Sequence, residues 1–159
     1  YKNNLSMGST INIEEGKKPK FLIWATADSL GAPLQRIQII KGWLENGKHK
    51  EKVFDVACTD GLMVNSSNSR CPNNGAKVNI ETCEVTQDSG ASELKSFWED
   101  PDFLEDQEAF YYVRVLENPV CRWSTWDSIR AGVEPRSDIP STIQERAWSS
   151  PIWFEPSIS

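Results

Sequence analysis

Between residues 109 and 126 the chain reads AFYYVRVLENPVCRWSTW. Its first part, Phe110 to Leu116, is aromatic and β-branched with no Gly or Pro inside it, the strongest strand signal in the sequence. Strand alternation puts Tyr111, Val113 and Val115 on one face and Phe110, Tyr112, Arg114 and Leu116 on the other. Neither set is clearly polar, so this strand is expected at the centre of a sheet, covered on both sides. Pro119 has no N–H to give a ladder and is expected to stop the pairing.

The same alternation predicts further strands. Residues 9–13 read as a short edge strand, and 21–27 as a strand bounded by turn residues. Residues 34–41 place Ile37 and Ile39 on a buried face. Asn46-Gly47 is a hairpin signal, because both residues tolerate the positive φ of a type I′ turn, and 52–58 is the returning partner. Residues 77–83 and 109–117 follow, and 146–154 is a last extended segment in which Pro151 demands an edge position or a bulge. Two short helices are expected. One runs from a Ser92 cap to Glu99, with Leu94, Phe97 and Trp98 on one stripe. The other is capped by Ser124, turns through Trp126–Arg130 and ends at Gly132. Residues 59–75 are loop, long enough to need something to fix them. The pattern indicates an all-β, immunoglobulin-like two-layer β-sandwich with short helical insertions, a twisted sheet carrying a helix being the alternative. Residues 1–20 read as an N-terminal segment following a missing upstream domain, and 21–159 as the sandwich domain.

Composition narrows this picture. Seven Trp and six Phe give each buried position a large apolar area. A net charge of −6 argues against nucleic acid as a partner, since a phosphate-backbone binder needs a basic surface. No apolar run approaches the roughly 20 residues that span a bilayer. The chain starts without an initiator Met or a recognisable leader, which suggests a fragment or processed product. Four cysteines, Cys58, Cys71, Cys83 and Cys121, lack the spacing of a zinc knuckle and fit two disulfides. Of three connectivities, Cys58–Cys71 with Cys83–Cys121 is favoured, the others staying open. Oxidised cysteines imply a periplasmic or extracellular setting.

Candidate chemistry is sparse. The one histidine, His49, lies among lysines in what reads as a turn, a poor mount for a general base. The acidic cluster from Glu99 to Glu108 offers hard oxygen ligands but lacks the order of a calcium loop, and reads as solvated surface. Arg114 interrupts the central strand and needs a partner, such as Asp55. Arg122, Arg130 and Arg146 flank Trp-rich segments where cation–π stacking is available. Trp24 and Trp153 read as core, while exposed tryptophans elsewhere would allow a carbohydrate-binding module.

Four stretches carry a family resemblance: APLQRIQIIKGW at 32–43, FYYVRVLE at 110–117, CRWSTWD at 121–127 and IQERAWSSPIW at 143–153. From about residue 7 onward the chain resembles the C-terminal region of the bacterial family called domain of unknown function 3604. That resemblance implies a longer, exported parent, with an upstream region similar to metal-dependent hydrolases of the polymerase-and-histidinol-phosphatase superfamily. A divalent metal would belong to that upstream region. None of the superfamily's ligands maps onto a position here, so no catalytic residue and no cofactor is expected in this fragment. The implied role is that of a non-catalytic accessory domain, acting as a lid, a scaffold or a dimerisation surface that would make a homo-oligomer. Trp123, Trp126, Trp148 and Trp153 are the expected interdomain surface.

Overall fold

A computed structural model describes residues 5–13, 16–85 and 88–156. Of the N-terminal segment, residues 1–4 and 14–15 lie outside the described residues. Among the described residues eight strands and one helix follow in chain order: β1 (Thr10–Ile13), β2 (Lys20–Thr26), β3 (Leu34–Glu45), β4 (Lys48–Cys58), β5 (Glu93–Glu99), β6 (Ala109–Cys121), α1 (Trp123–Ala131), β7 (Thr142–Trp148) and β8 (Ile152–Pro156). They form two packed sheets of unequal size. The large sheet has the order β1-β8-β6-β3-β4, with β7 also paired to β6, and the small sheet is β2-β5 alone.

The long strand β6 is the axis. One edge pairs antiparallel with β3, and the other pairs with β8 at Ala109–Tyr111 and then with β7 from Arg114 onward. The changeover falls at Ser149 to Pro151, where Pro151 has no N–H to continue a ladder. Ser149 fills the gap: its N–H donates to Val113 O at 3.0 Å and its Oγ accepts from the Val113 N–H at 2.9 Å. The expected single strand 146–154 is therefore two strands. Pro119 does not end β6, contrary to expectation. The register shifts between Leu116 and Pro119, and Pro119 then pairs opposite Gln144, so a bulge absorbs the missing donor.

The β3–β4 hairpin is longer than its sequence pattern suggested. Asn46 (φ 52°) and Gly47 (φ 72°) make the two-residue turn, and His49 sits on β4 opposite Leu44, not in the turn. The segment 93–99 is a strand, not a helix. Leu94, Ser96 and Trp98 face inward and Phe97 is exposed, opposite Leu22 on β2. A spacing of four residues fits a period of two as well as one of 3.6, and a free edge on β2 decides the matter. Residues 77–83 are not a strand either. A single bridge joins Val78 to Val85, and Asn79 turns the chain by accepting the N–H of Glu81 on its side chain and that of Cys83 on its carbonyl.

The core lies between the sheets. Phe21 and Ile23 of β2 and Leu94 of β5 meet Ile37, Ile39, Tyr111 and Phe154 of the large sheet. The Phe21 ring is 5.0 Å from Tyr111 and 5.9 Å from Phe154, in tilted and edge arrangements. Lys41 projects into this layer and pairs with Asp100. The opposite face of the large sheet carries a polar network. Asp55, fully buried, accepts from Arg36 (2.9 Å), Gln38 (2.7 Å) and the Cys71 N–H (2.7 Å). Arg114 does not reach Asp55 directly: its Nε donates to Gln38 Oε1 at 2.7 Å, and Gln38 relays to the carboxylate.

The disulfides are Cys58–Cys71 and Cys83–Cys121, each with 5.6 Å between Cα atoms. The first holds the 59–75 loop against β4, and the second ties the strandless 77–85 turn to the end of β6. Helix α1 starts two residues earlier than Ser124 as a cap would dictate. Arg122 is its N-cap and makes no side-chain cap bond. It ends as expected at Gly132 (φ 64°), where the Val133 N–H reaches Ser128 O in a Schellman closure.

Candidate functional site

The two strands of the small sheet cover only part of the large sheet's inner face. Strand β5 lies over β3 and β4, and β2 lies over β6, through the Phe21 contacts with Tyr111 and Phe154. Beyond β2, toward β7 and β8, the inner face is left open. A groove of about 670 Å³ runs there between the outer edge of β2 and the β7–β8 junction. Its floor is apolar: Val113, Val115, Ala147 and Ile152, with Leu34 at the base. Leu5 and Met7, both exposed, border one end.

One side of this groove is backbone. Strand β2 is hydrogen-bonded to β5 alone among the described residues. The Ala27 N–H donates to Ser92 O at 2.8 Å, which points the odd-numbered amides toward β5. Alternation then aims the main-chain groups of Leu22, Trp24 and Thr26 into the groove.

The far end is acidic. Glu117 is half-buried, and its carboxyl is pushed above the ordinary range, first by burial and then by the charge of Glu145 and of Asp28, although it accepts the Ala32 N–H. Among the described residues Glu117 makes no ion pair. Above the groove, the outer face of the small sheet carries apolar side chains set among the exposed pairs Lys20–Glu99 and Lys95–Glu93. Leu22 is 80% exposed, Trp24 66% and the cross-strand Phe97 64%. Lys95 Nζ lies 4.4 Å from the Trp24 ring, and the Trp24 indole N–H donates to Glu93 at 2.8 Å.

The four tryptophans expected as a surface are all exposed but do not form one patch by their places in the fold. Trp148 borders the groove. Trp153 stands on the opposite face of the large sheet, 5.0 Å from Phe110, beside a smaller cavity of about 410 Å³. Trp123 and Trp126 lie on α1, with Arg130 5.5 Å from the Trp126 ring. Two sequence expectations are overturned here. Trp24 and Trp153 are not core, being 66% and 47% exposed, because each points away from the intersheet layer on its strand. Sequence reasoning missed Leu22, Trp24 and Phe97 as surface for the same reason: a run apolar on both faces reads as fully buried.

The acidic cluster is dispersed into structural contacts. Asp100 is buried against Lys41, Asp102 meets Lys52, and Glu105 accepts the Gly16 N–H. Among the described residues no group of three or more His, Cys, Asp or Glu side chains is placed to hold a metal ion. Among the described residues no helix is long and apolar enough to cross a membrane.

These features define a disulfide-pinned, two-sheet β module whose smaller sheet leaves an apolar groove open beside an unpaired strand edge. The chain belongs to the family described as a protein of unknown function, DUF3604, which matches residues 1–156. No curated protein and no solved structure matches it.

Proposed function

We propose that this chain is a non-catalytic accessory domain of a larger exported protein, acting by docking against another part of that protein. The observation that carries this reading is the uncovered inner face beside β2, continued outward by Leu22, Trp24 and Phe97. Together these place an apolar groove floor next to three exposed apolar side chains, the kind of surface that marks an interaction site. The two disulfides fit a periplasmic or extracellular setting. The partner in this reading is an upstream domain similar to metal-dependent hydrolases, which would hold any divalent metal. Trp148 borders this docking surface, and Trp123, Trp126 and Trp153, which stand elsewhere on the fold, would meet the parent at separate points. The test is limited proteolysis and thermal unfolding of the full-length parent carrying Trp24→Ser and Phe97→Ser. Faster cleavage between domains and a separated unfolding transition support docking, and unchanged behaviour of both argues against it.

A second reading is a carbohydrate-binding module. It is favoured by one observation on the opposite face. Phe110 and Tyr112 lie with ring planes 12° apart and centroids at 6.4 Å, next to the half-exposed Trp153. Glu51, Glu108 and Glu155 around the adjacent cavity would accept sugar hydroxyls. Retention on insoluble polysaccharides, lost in Trp153→Ala, would select this reading.

A further inference from the structure

Among the described residues the small sheet has two strands, and β2 pairs on one edge alone. We infer that the groove beside β2 is a slot for an extended polypeptide segment supplied by another part of the parent protein. This segment pairs with the free edge of β2, buries alternate apolar side chains on Val113, Val115 and Ala147, and carries a basic residue beside Glu117 and Glu145. The inference rests on the docking role proposed above and names the occupant of its groove.

Three independent features specify a strand. First, the main-chain groups of Leu22, Trp24 and Thr26 face the slot, and an extended backbone is the ligand that matches a row of alternating donors and acceptors. A helix keeps its own amides occupied, and a lipid chain has none to offer. Second, the slot has the dimensions of a strand. Seven β2 residues run for roughly 20 Å at about 3.3 Å per residue, above a floor whose exposed residues alternate with those facing the other side of the sheet. Third, the charge is uneven. Lys20 lies at the start of β2, paired with Glu99, and Arg146 also lines the groove, while Glu117, Glu145 and Asp28 gather near the C-terminal end of β2, where Glu117 makes no ion pair among the described residues and burial with mutual repulsion favours a cation.

A second copy of this chain is a poorer occupant. Edge-to-edge pairing of two β2 strands would satisfy the amides. The inward side chains of each β2, Phe21 and Ile23, are already committed to their own core, so neither copy could fill the other's slot.

The test uses the chain itself with three synthetic probes: Lys-Val-Thr-Val-Thr-Val-Lys, its rearrangement Lys-Val-Val-Val-Thr-Thr-Lys, and the acidic analogue Glu-Val-Thr-Val-Thr-Val-Glu. The readouts are fluorescence anisotropy of the labelled peptide and amide hydrogen exchange of β2. The expected result is saturable binding of the first peptide, at least tenfold weaker binding of the other two, and slowed exchange at Leu22, Trp24 and Thr26. Ala147→Glu, at an exposed floor position that packing does not need, should weaken the first peptide at least tenfold while leaving the thermal transition in place. Equal binding of the rearranged peptide, or binding without protection of those three amides, would overturn the inference. So would protection that grows with protein concentration in the absence of peptide, which would assign the edge to self-association. If the strand peptide does not bind while Trp24→Ser still separates domains in the full-length parent, the strand inference fails and the docking role stands.

Discussion

Lys41 Nζ lies 2.7 Å from Asp100 Oδ2 in the layer between the two sheets, with both side chains almost wholly out of solvent. The same carboxylate oxygen accepts the Tyr111 hydroxyl at 2.6 Å, its other oxygen accepts the Asp102 N–H, and Lys41 also donates to Asp102 O. The ammonium group lies 5.5 Å from the Trp43 ring and 5.7 Å from that of Tyr111. A buried pair of this kind pins β3 and β6 to the 99–103 turn. It gives specificity more than net stability, because desolvating both charges offsets most of their attraction.

Removing one partner should therefore cost far more than removing both. Asp100→Ala strands a buried ammonium and should destabilise the chain by about 3–5 kcal/mol. The double variant Lys41→Met with Asp100→Leu should recover most of that loss. Urea unfolding of the single and double variants checks it, and additive losses would contradict it.

Tyr111 adds an alkaline signature. Burial, then the hydrogen bond to Asp100 and its negative charge, push the phenol well above its usual value of 10.0. The unfolded chain releases this proton near pH 10 while the folded chain keeps it, so stability should fall as pH rises past 10. Tyr111→Phe should be less stable at pH 7, through the lost hydrogen bond, and its curve should be flatter above pH 10. Thermal unfolding across pH 8–11 reads both effects.

Glu117 behaves in the opposite range. Its carboxyl is raised from an ordinary 4.5, so the charged form is disfavoured in the folded state at neutral pH. The folded chain binds the proton more tightly than the unfolded chain, and this penalty disappears as pH falls below the unfolded value. Glu117→Gln should raise the melting temperature at pH 7. Below about pH 4, where both states are protonated, the gain should vanish. A gain that persisted at pH 3 would show that charge is not its source.

The two disulfides should differ in weight. Cys83–Cys121 spans 38 residues and Cys58–Cys71 only 13. Loop-closure entropy assigns them about 4 and about 3 kcal/mol respectively. Cys83→Ala with Cys121→Ala should thus cost more than the matching pair at 58 and 71, as urea midpoints would report. It should also speed amide exchange across residues 77–85, which have little secondary structure of their own.

Gly90 is a steric checkpoint. With φ +95°, a Cβ there would sit 2.6 Å from Pro33 Cβ, 2.7 Å from Asn118 Nδ2 and 2.9 Å from Leu34 O. Two of those neighbours, the Pro33 ring and the Leu34 backbone, cannot swing away. Gly90→Ala should destabilise by more than the roughly 1 kcal/mol typical of an exposed glycine, measurable as a lowered urea midpoint.

Much of the large sheet was legible in the residues. Phe110 to Leu116 announces a central strand by its two apolar faces, and Asn46-Gly47 fixes the β3–β4 hairpin by its backbone freedom. Gly132 likewise sets the end of α1. The segment 93–99 was not legible, because Leu94 and Trp98, four residues apart, suit a helix stripe and a strand face equally. The turn at 77–83 was missed because Val78 and Ile80 mimic alternation, while Asn79 and the bond from Cys83 to Cys121 hold the chain in a turn. The groove left still less trace. Phe21 and Ile23 look the same in sequence as Leu22 and Trp24, and only the pairing with β5 on one edge, the one partner of β2 among the described residues, decides which backbone groups face the groove.

The sequence by itself determined the β-rich class, the hairpin, the oxidised cysteines and the identity of β6 as the axis, because these follow from local alternation, turn chemistry and side-chain volume. Tertiary structure alone decided that Lys41, Asp100 and Tyr111 meet, that β7 and β8 share one edge of β6, and that the small sheet stops at two strands. Those outcomes depend on which edges find partners across long stretches of chain, and hydrogen-bond pairing between distant strands leaves no mark on the order of residues within either one.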